Sequence, residues 1–518
     1  MRCACSRVCA AAENAHERPA LATLQRVKIM SSSHYTGFAG QYIDGQQRSG
    51  GSGRALRVSN PYNGEVIAEL QLGDLTDLER ACQVAQAAQL KWARTLPAER
   101  SAVFHRAVQI MQTRREEIVS WLIRESGSTR TKANMEWAAV HDGMLEAATF
   151  PNRVVGRILP IDIADKESRV YRKPLGVIGV ISPWNWPMHL SHRSIAPALA
   201  LGNAVVVKPS QETPITGGLL LARIYEEAGL PAGLLNVVVG QNSDIGDAFV
   251  QHPALRFISF TGSNNVGRHI NAQIAAASTL KHVALELGGN APLVVLDDAD
   301  LEHAVHAAVV GRFLHQGQIC MSTNRIIVDR SLYSDFVELF VERVSRLKFG
   351  DPDAADTVIG PLINRRQLDS ALAHIARARA DGLPQLLGGE PQGLVLPPHV
   401  FGPVSNDSAL AQAELFSPIA QIIRADNETH ALNMANDTEY GLSSAVFTRD
   451  EGRGLRFAQQ LQAGMAHIND IPANDSPNSM FGGVKNSGLG RFNGDWIIDA
   501  FTTDHWISVQ HAPRPYPF

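Results

Sequence analysis

Repeated switching between short β-branched runs and helically spaced apolar residues, from 177 to 347, restricts this chain to parallel strands joined by crossover helices. Strands are expected over 177–182, 204–207, 235–239, 257–260 and 283–287. Helices are expected over 216–228, ending at Gly229 before Pro231, and over 266–277. After Gly288, Gly289 and Asn290 the pattern starts again, with strands over 293–296 and 326–328 and helices over 301–314 and 333–347. Two α/β units follow. A helical layer precedes them over 75–148, where Leu78, Ala81, Val84 and Ala85, then Phe104, Val108 and Met111, recur at helical spacing. The stretches 151–174 and 501–510 read as strands outside both units, and no fixed-period repeat is present.

Charge and cysteine usage narrow the partners. Lys and Arg number 47 against 51 Asp and Glu, a net charge of −4, so no basic field draws the protein to nucleic acid or to an anionic membrane. A small molecule is the expected partner. The longest apolar stretch near the middle, 195–207, is broken by Gly202 and Asn203 and falls short of a bilayer span. Cys3, Cys5 and Cys9 crowd the N-terminus, leaving Cys82 and Cys320 in the body of the chain, which is no disulfide framework. Free thiols suit a reducing compartment, so a cytoplasmic protein is expected. Residues 1–29 lack a continuous apolar segment and mix arginines with Glu13 and Glu17; they read as an unstructured extension, with Met30 the more natural beginning.

Several polar residues sit where an apolar pattern does not explain them. Cys320, in FLHQGQICMSTN, follows a helical run; a thiolate adds readily to an aldehyde carbonyl, although a lone cysteine is more often a buried structural residue. Glu286, in VALELGGN, ends an apolar strand, where a buried carboxylate is costly unless paired and suits a general base for water; a solvent-facing edge residue is the plain alternative. Gly288 and Gly289 let backbone approach a ligand or another chain. PWNWP, at 183–187, holds Asn185 in a stiff turn at a strand's carboxyl end, where its amide can donate to an oxyanion. FTGSNNVG, at 260–267, is a strand, a glycine turn and a helix start that suits a pyrophosphate or serves as an ordinary turn. Lys208, in GNAVVVKPS, ends another strand of the same sheet and reads either as a ribose or phosphate contact or as a surface lysine.

Together, in this order, PWNWP, KPS, FTGS, LELGGN, GQxC, ELF and FGGxKxSGxGR resemble the aldehyde dehydrogenase superfamily, from near Tyr42 to the C-terminus. The runs FLHQGQICMSTNRIIVD, NDTEYGLSSAVFTRD and FTTDHWISVQ are most similar to bacterial benzaldehyde and vanillin dehydrogenases. The resemblance implies an α/β fold with a Rossmann-like cofactor domain from residues 30–152 and 175–288, and a catalytic domain from residues 289–498. It also implies an oligomerisation extension from residues 153–174 and 499–518, hence a homodimer or homotetramer.

The same resemblance assigns roles by position. Cys320 would be the nucleophile, Asn185 with the Cys320 N–H the oxyanion hole, and Glu286 the base that activates water. NAD or NADP would lie against Ile181, Ser182, Pro183, Trp184, Lys208, Ser210, Gln211, Gly262, Ser263, Gly267, Leu287, Gly288, Glu414 and Phe416. An aldehyde, preferably aromatic, would meet Trp186, Leu190, Arg193, Ile471 and Asn474. No metal is implied. Gln211 replaces a glutamate that repels a 2′-phosphate in many NAD-preferring relatives, which leaves both cofactors open. Ser417, Met480 and Ser194 stand where the pattern has Gly, Pro and often Lys. Three rival functions remain: an aliphatic or semialdehyde dehydrogenase, a CoA-acylating enzyme, which Glu286 disfavours, and a non-catalytic cofactor-binding protein.

Overall fold

The apolar runs become strands buried on both faces, as parallel sheets flanked by helices require. The structure is a computed structural model and describes residues 34–518; the expectation for residues 1–29 lies outside them. An eight-stranded sheet runs in the order Gly488–Leu489, His282–Glu286, Leu255–Thr261, Val177–Ile181, Ala204–Lys208, Leu235–Val238, Gly40–Ile43, Gln46–Ser49. Its five central strands are parallel, and both edges are antiparallel. Successive strands are added to one side of Val177–Ile181 and then to the other. A crevice therefore opens beyond the carboxyl ends of Val177–Ile181 and Leu255–Thr261, where open α/β sheets receive ligands.

A seven-stranded sheet follows, in the order Gln385–Leu387, His399–Phe401, Ile419–Ala425, Thr323–Asp329, Ala291–Val295, Ser443–Phe447, Met465–Ile468. Its buried side chains pack against Leu301–Phe313 and Tyr333–Ser345 on one face, and against Arg365–Ala380 and Glu428–Asn436 on the other. The helical layer consists of Leu75–Trp92, Pro97–Thr113, Arg115–Ser126 and Arg130–Thr149. Thr502–Gln510 pairs antiparallel with Lys166–Pro174, which also pairs with Arg157–Leu159. This small sheet exposes Ile158 and Trp506. Among the described residues, no helix is long and apolar enough to cross a membrane.

Two features differ from the sequence pattern. Gly488–Leu489 returns from the second α/β series to pair with Leu285 and Glu286 in the first sheet. The helix expected over 216–228 opens with a wide π-type turn, Ile215–Leu219, before the regular Leu220–Glu227. Its first donors are met from a distant helix: Ile215 N donates to Glu125 Oε1 at 2.8 Å, and Thr216 N donates to Oε2 at 2.7 Å. A carboxylate at a helix start satisfies groups with no partner inside the helix.

Burial pushes the Glu125 carboxyl up to about 7, against the opposing pull of the Thr216 and Ile215 donors. Since its ordinary value is 4.5, the folded protein holds this proton more tightly than the unfolded chain does. The group's contribution to stability is therefore lost as pH rises from the unfolded value through the folded one. Glu125→Gln, which stays neutral, is expected to flatten the change in Tm between about pH 5 and pH 8. Parallel Tm–pH curves for the variant and the parent protein would contradict this.

Candidate active site

Three distant segments supply one cluster. Val177–Ile181 runs into the Pro183–Pro187 turn, and Pro187 then opens the helix Pro187–Ala200, a position where its missing N–H costs nothing. Asn185 in that turn is buried, and its Nδ2 donates to the Gln318 carbonyl at 2.9 Å, two residues before Cys320. Glu286, the last residue of His282–Glu286, is fully buried. Cys320 Sγ donates to Glu286 Oε1 at 3.2 Å, while Arg193 Nη2 donates to Glu286 Oε2 at 3.0 Å. The predicted thiol, carboxylate and amide thus come together.

Arg193, expected only to line a tunnel, is Glu286's ion-pair partner. Its guanidinium carbon lies 4.5 Å from the centre of the Phe481 ring and 4.4 Å from that of Phe492. The ring faces attract the cation where water is excluded, and Thr261 Oγ1 accepts a further bond at 3.3 Å. Burial pushes the Cys320 pKa well up, and the adjacent Glu286 charge and hydrogen bond raise it further. At neutral pH the sulfur is a protonated thiol already bonded to a proton acceptor. Cys82 is buried and pushed up to about 12, as expected of an inert structural cysteine.

The loop carrying Cys320 is irregular, with positive φ at His315 (51°), Gln316 (58°) and Gly317 (73°). Such backbone leaves carbonyls outside any ladder, and fully buried Arg312 answers them. Its Nη2 donates to Gly317 O at 3.2 Å within that loop, and to Leu415 O and Ser417 O, both at 2.6 Å. Arg312 therefore joins the Cys320 loop to the loop of Glu414 and Phe416. The sequence reading missed it; an arginine in the apolar run 307–313 of the helix Leu301–Phe313 was the available signal. The two glycines allow close approach within the chain itself. A Cβ on Gly289 would stand 2.2 Å from Cys320 O, and one on Gly288 would stand 2.5 Å from Glu414 Oε2.

Several of the expected cofactor residues lie at or just after carboxyl ends of strands in the first sheet. Ser263 precedes the helix Asn264–Ala276 without a side-chain cap, leaving the opening N–H groups available to an anion. Gly262 N donates to Glu286 O at 3.0 Å, tying this turn to the strand end that carries Glu286. Leu287 fills the space beside Gly267, where an added Cβ would come within 2.4 Å of it. Ile181 ends its strand, and Ser182 Oγ accepts from Ser191 Oγ at 2.6 Å. Trp184, next to Pro183, meets Phe416 edge-on with centroids 6.0 Å apart. Glu414 Oε1 accepts from Gly289 N at 2.8 Å, and burial pushes its carboxyl up to about 7. Lys208, lowered to about 8 by burial, donates to the Asn242 side chain. Ser210 Oγ accepts from Glu212 N at 3.2 Å, Gln211 Nε2 is buried without a protein partner, and Glu212 is bonded to Asn364.

Of the expected substrate residues, Trp186 flanks Asn185 and Leu190 is buried one helical turn from Arg193. Ile471 lies beside Gly311, and Asn474 Nδ2 donates to Asp470 at 2.8 Å. Among the described residues, no group of three or more His, Cys, Asp or Glu side chains could hold a metal ion.

The aldehyde dehydrogenase family model matches residues 48–507. The chain belongs to the aldehyde dehydrogenase family. It is 51% identical over 470 residues to the vanillin dehydrogenase of Corynebacterium glutamicum, covering 91% of this chain and 97% of that protein. It is 47% identical to a benzaldehyde dehydrogenase of Bacillus subtilis, covering 92% of this chain and 98% of that one. The crystal structure of an NAD-dependent benzaldehyde dehydrogenase from Corynebacterium glutamicum superposes with a TM-score of 0.86 at 47% identity, covering 94% of this chain and all of that one. In this aldehyde dehydrogenase, Ser417 does not take the left-handed conformation, so serine in place of glycine is unstrained. Ser194, where lysine is frequent, pairs its hydroxyl with Ser259 at 2.8 Å.

Removing the Glu286 charge should ease the upward push on the Cys320 pKa and leave Arg193 nearby to favour the thiolate. Glu286→Gln is therefore expected to shift the pH profile of iodoacetamide alkylation at Cys320 to lower pH, read by mass spectrometry. A shift to higher pH would refute this electrostatic account.

Proposed function

We propose that this protein oxidises an aromatic aldehyde of the benzaldehyde or vanillin type to the carboxylic acid, with NAD preferred over NADP. The observation that carries the reading is Cys320 Sγ hydrogen-bonded to Glu286 Oε1, with the Asn185 amide anchored two residues away on Gln318. The relatives named for vanillin and benzaldehyde support the substrate class, and the NAD-dependent structural relative supports the cofactor.

Glu286 takes the thiol proton and the sulfur adds to the carbonyl carbon, giving a tetrahedral thiohemiacetal. The Asn185 amide and the Cys320 N–H donate to its oxygen. The nicotinamide, when bound, would supply the hydride acceptor needed to turn this adduct into a thioester. Once Glu286 has passed the thiol proton to solvent, it removes a proton from water; the hydroxide adds to the thioester and the thiolate leaves, releasing the acid. The free helix start at Asn264–Ala276 would hold the pyrophosphate, Lys208 the adenosine ribose, and Glu414 with Phe416 the nicotinamide end. The uncapped helix start and the glycine approaches at Gly288 and Gly289 fit such a ligand. Residues 30–152 with 175–288 would form the cofactor domain, and residues 289–498 the catalytic domain. The two free thiols among the described residues, Cys82 and Cys320, suit work in the cytoplasm.

A steady-state panel of aromatic and aliphatic aldehydes with both cofactors tests the reading: benzaldehyde or vanillin with NAD should give the highest kcat/KM, and Cys320→Ala should abolish turnover. Selectivity for short aliphatic aldehydes would overturn the substrate class, and undiminished turnover in Cys320→Ala the mechanism. The exposed sheet of residues 153–174 and 499–518 is proposed to pair with a second copy of the chain. Light scattering should give a dimer or tetramer at micromolar concentration, and a monomer there would refute the pairing.

A further inference from the structure

A lysine and a glutamate with no exposed side-chain surface lie behind the Asn185 turn. Lys132 and Glu136 sit one turn apart on the helix Arg130–Thr149, paired at 2.5 Å, and both are completely buried. Isolated buried pairs are weak sources of stability, because desolvation offsets their attraction. A pair this deep calls for an explanation in what else the two groups hold.

Every donor of the ammonium is used. Lys132 Nζ donates to Glu136 Oε2, to Ser128 Oγ at 3.0 Å, and to the backbone carbonyl of Asn185 at 2.8 Å. It also stands 4.6 Å from the centre of the Trp186 ring. The other oxygen of Glu136 accepts from Met188 N at 2.9 Å and His189 N at 3.1 Å. Those are the first free N–H groups of Pro187–Ala200, whose own cap position, Trp186, provides no side-chain bond. The cation thus grips the turn just before its helix, and the anion grips it just after. The Asn185 amide, whose Nδ2 donates to Gln318 O, projects from the segment between them.

We propose that the Lys132–Glu136 pair is a positioning device that fixes the Asn185 backbone, so that the amide meets the oxyanion formed on Cys320. The inference rests on the reading of Asn185 given above. Neither residue touches the reacting atoms; both act through Asn185. Catalytic hydrogen bonds are sensitive to displacement, with ~1 Å costing on the order of a hundredfold in rate.

Removing one member alone would strand a buried charge, so the test removes both charges together in Lys132→Met/Glu136→Gln, whose glutamine oxygen can still accept from Met188 and His189. With benzaldehyde and NAD, kcat should fall about tenfold to a hundredfold with KM little changed, as expected when only transition-state stabilisation is lost. Hydrolysis of p-nitrophenyl acetate, which needs the thiol and the oxyanion donors but no cofactor, should fall in parallel. The deciding measurement is a double-mutant cycle with Asn185→Ala, in which the pair variant should cost less than about twofold further. Additive losses in that background, or an unchanged kcat in the pair variant beside a damaging Asn185→Ala, would overturn the positioning role while sparing the mechanism. An Asn185→Ala enzyme of full activity would overturn the oxyanion assignment and this inference with it. If the pair variant does not fold, Glu136→Asp, which draws the carboxylate back from Met188 and His189, enters the same cycle with the same outcomes.

Discussion

A single buried carboxylate, Glu286, shared between a thiol and a guanidinium, organises the centre of this protein. A charge with no exposed surface is tolerated only when its oxygens are met. Here Cys320 meets one oxygen and Arg193 the other. Each partner is then constrained in turn: Arg193 by two aromatic rings from the segment 481–492, and Cys320 by a loop held by Arg312 at Gly317 O and by Asn185 at Gln318 O. Sheet register completes the arrangement, because Thr261 pairs with Glu286 across parallel strands and offers its hydroxyl to Arg193. The edge strand Gly488–Leu489 pairs on the opposite side of Glu286, so the strand end that carries the carboxylate is held from both flanks.

What was legible in the sequence was local. β-branched runs and helical spacing located strands and helices between 177 and 347, since each signal lies within one element, while the strands of the second sheet from Gln385 to Ile468 went unnamed. Cys320, Glu286 and Asn185 could be singled out because each is a polar residue in an apolar or proline-bound setting, and motif order tied them together. What stayed hidden was pairing across the chain. Arg193 and Glu286 are separated by 93 residues, Arg312 and Leu415 by 103, and Glu125 and Ile215 by 90. The wide turn at Ile215–Leu219 was missed for the same reason, as a local pattern cannot show that a distant carboxylate reshapes a helix start. Lys132 and Glu136 have the spacing of an ordinary surface pair, and only burial distinguishes them from one.

Buried cations recur around the site for a common cause. Catalytic loops depart from regular structure, so their carbonyls lack ladder partners, and an unpaired buried carbonyl is costly. Arg312 meets such carbonyls at Leu415 and Ser417 and Lys132 at Asn185, while Arg325 meets the last-turn carbonyls of Met434 and Ala435 in the helix Glu428–Asn436. The guanidinium suits this task because its donors are fixed in a plane and reach several acceptors at once. Burial pushes Arg312 down to about 9 and Arg325 to about 10, so both remain protonated at neutral pH. The arrangement lets loops from both α/β series keep irregular backbone at the reacting centre while remaining as fixed as sheet. Rigidity here comes from side chains that bind backbone, which is why the residues that hold the site outnumber those that would touch a substrate.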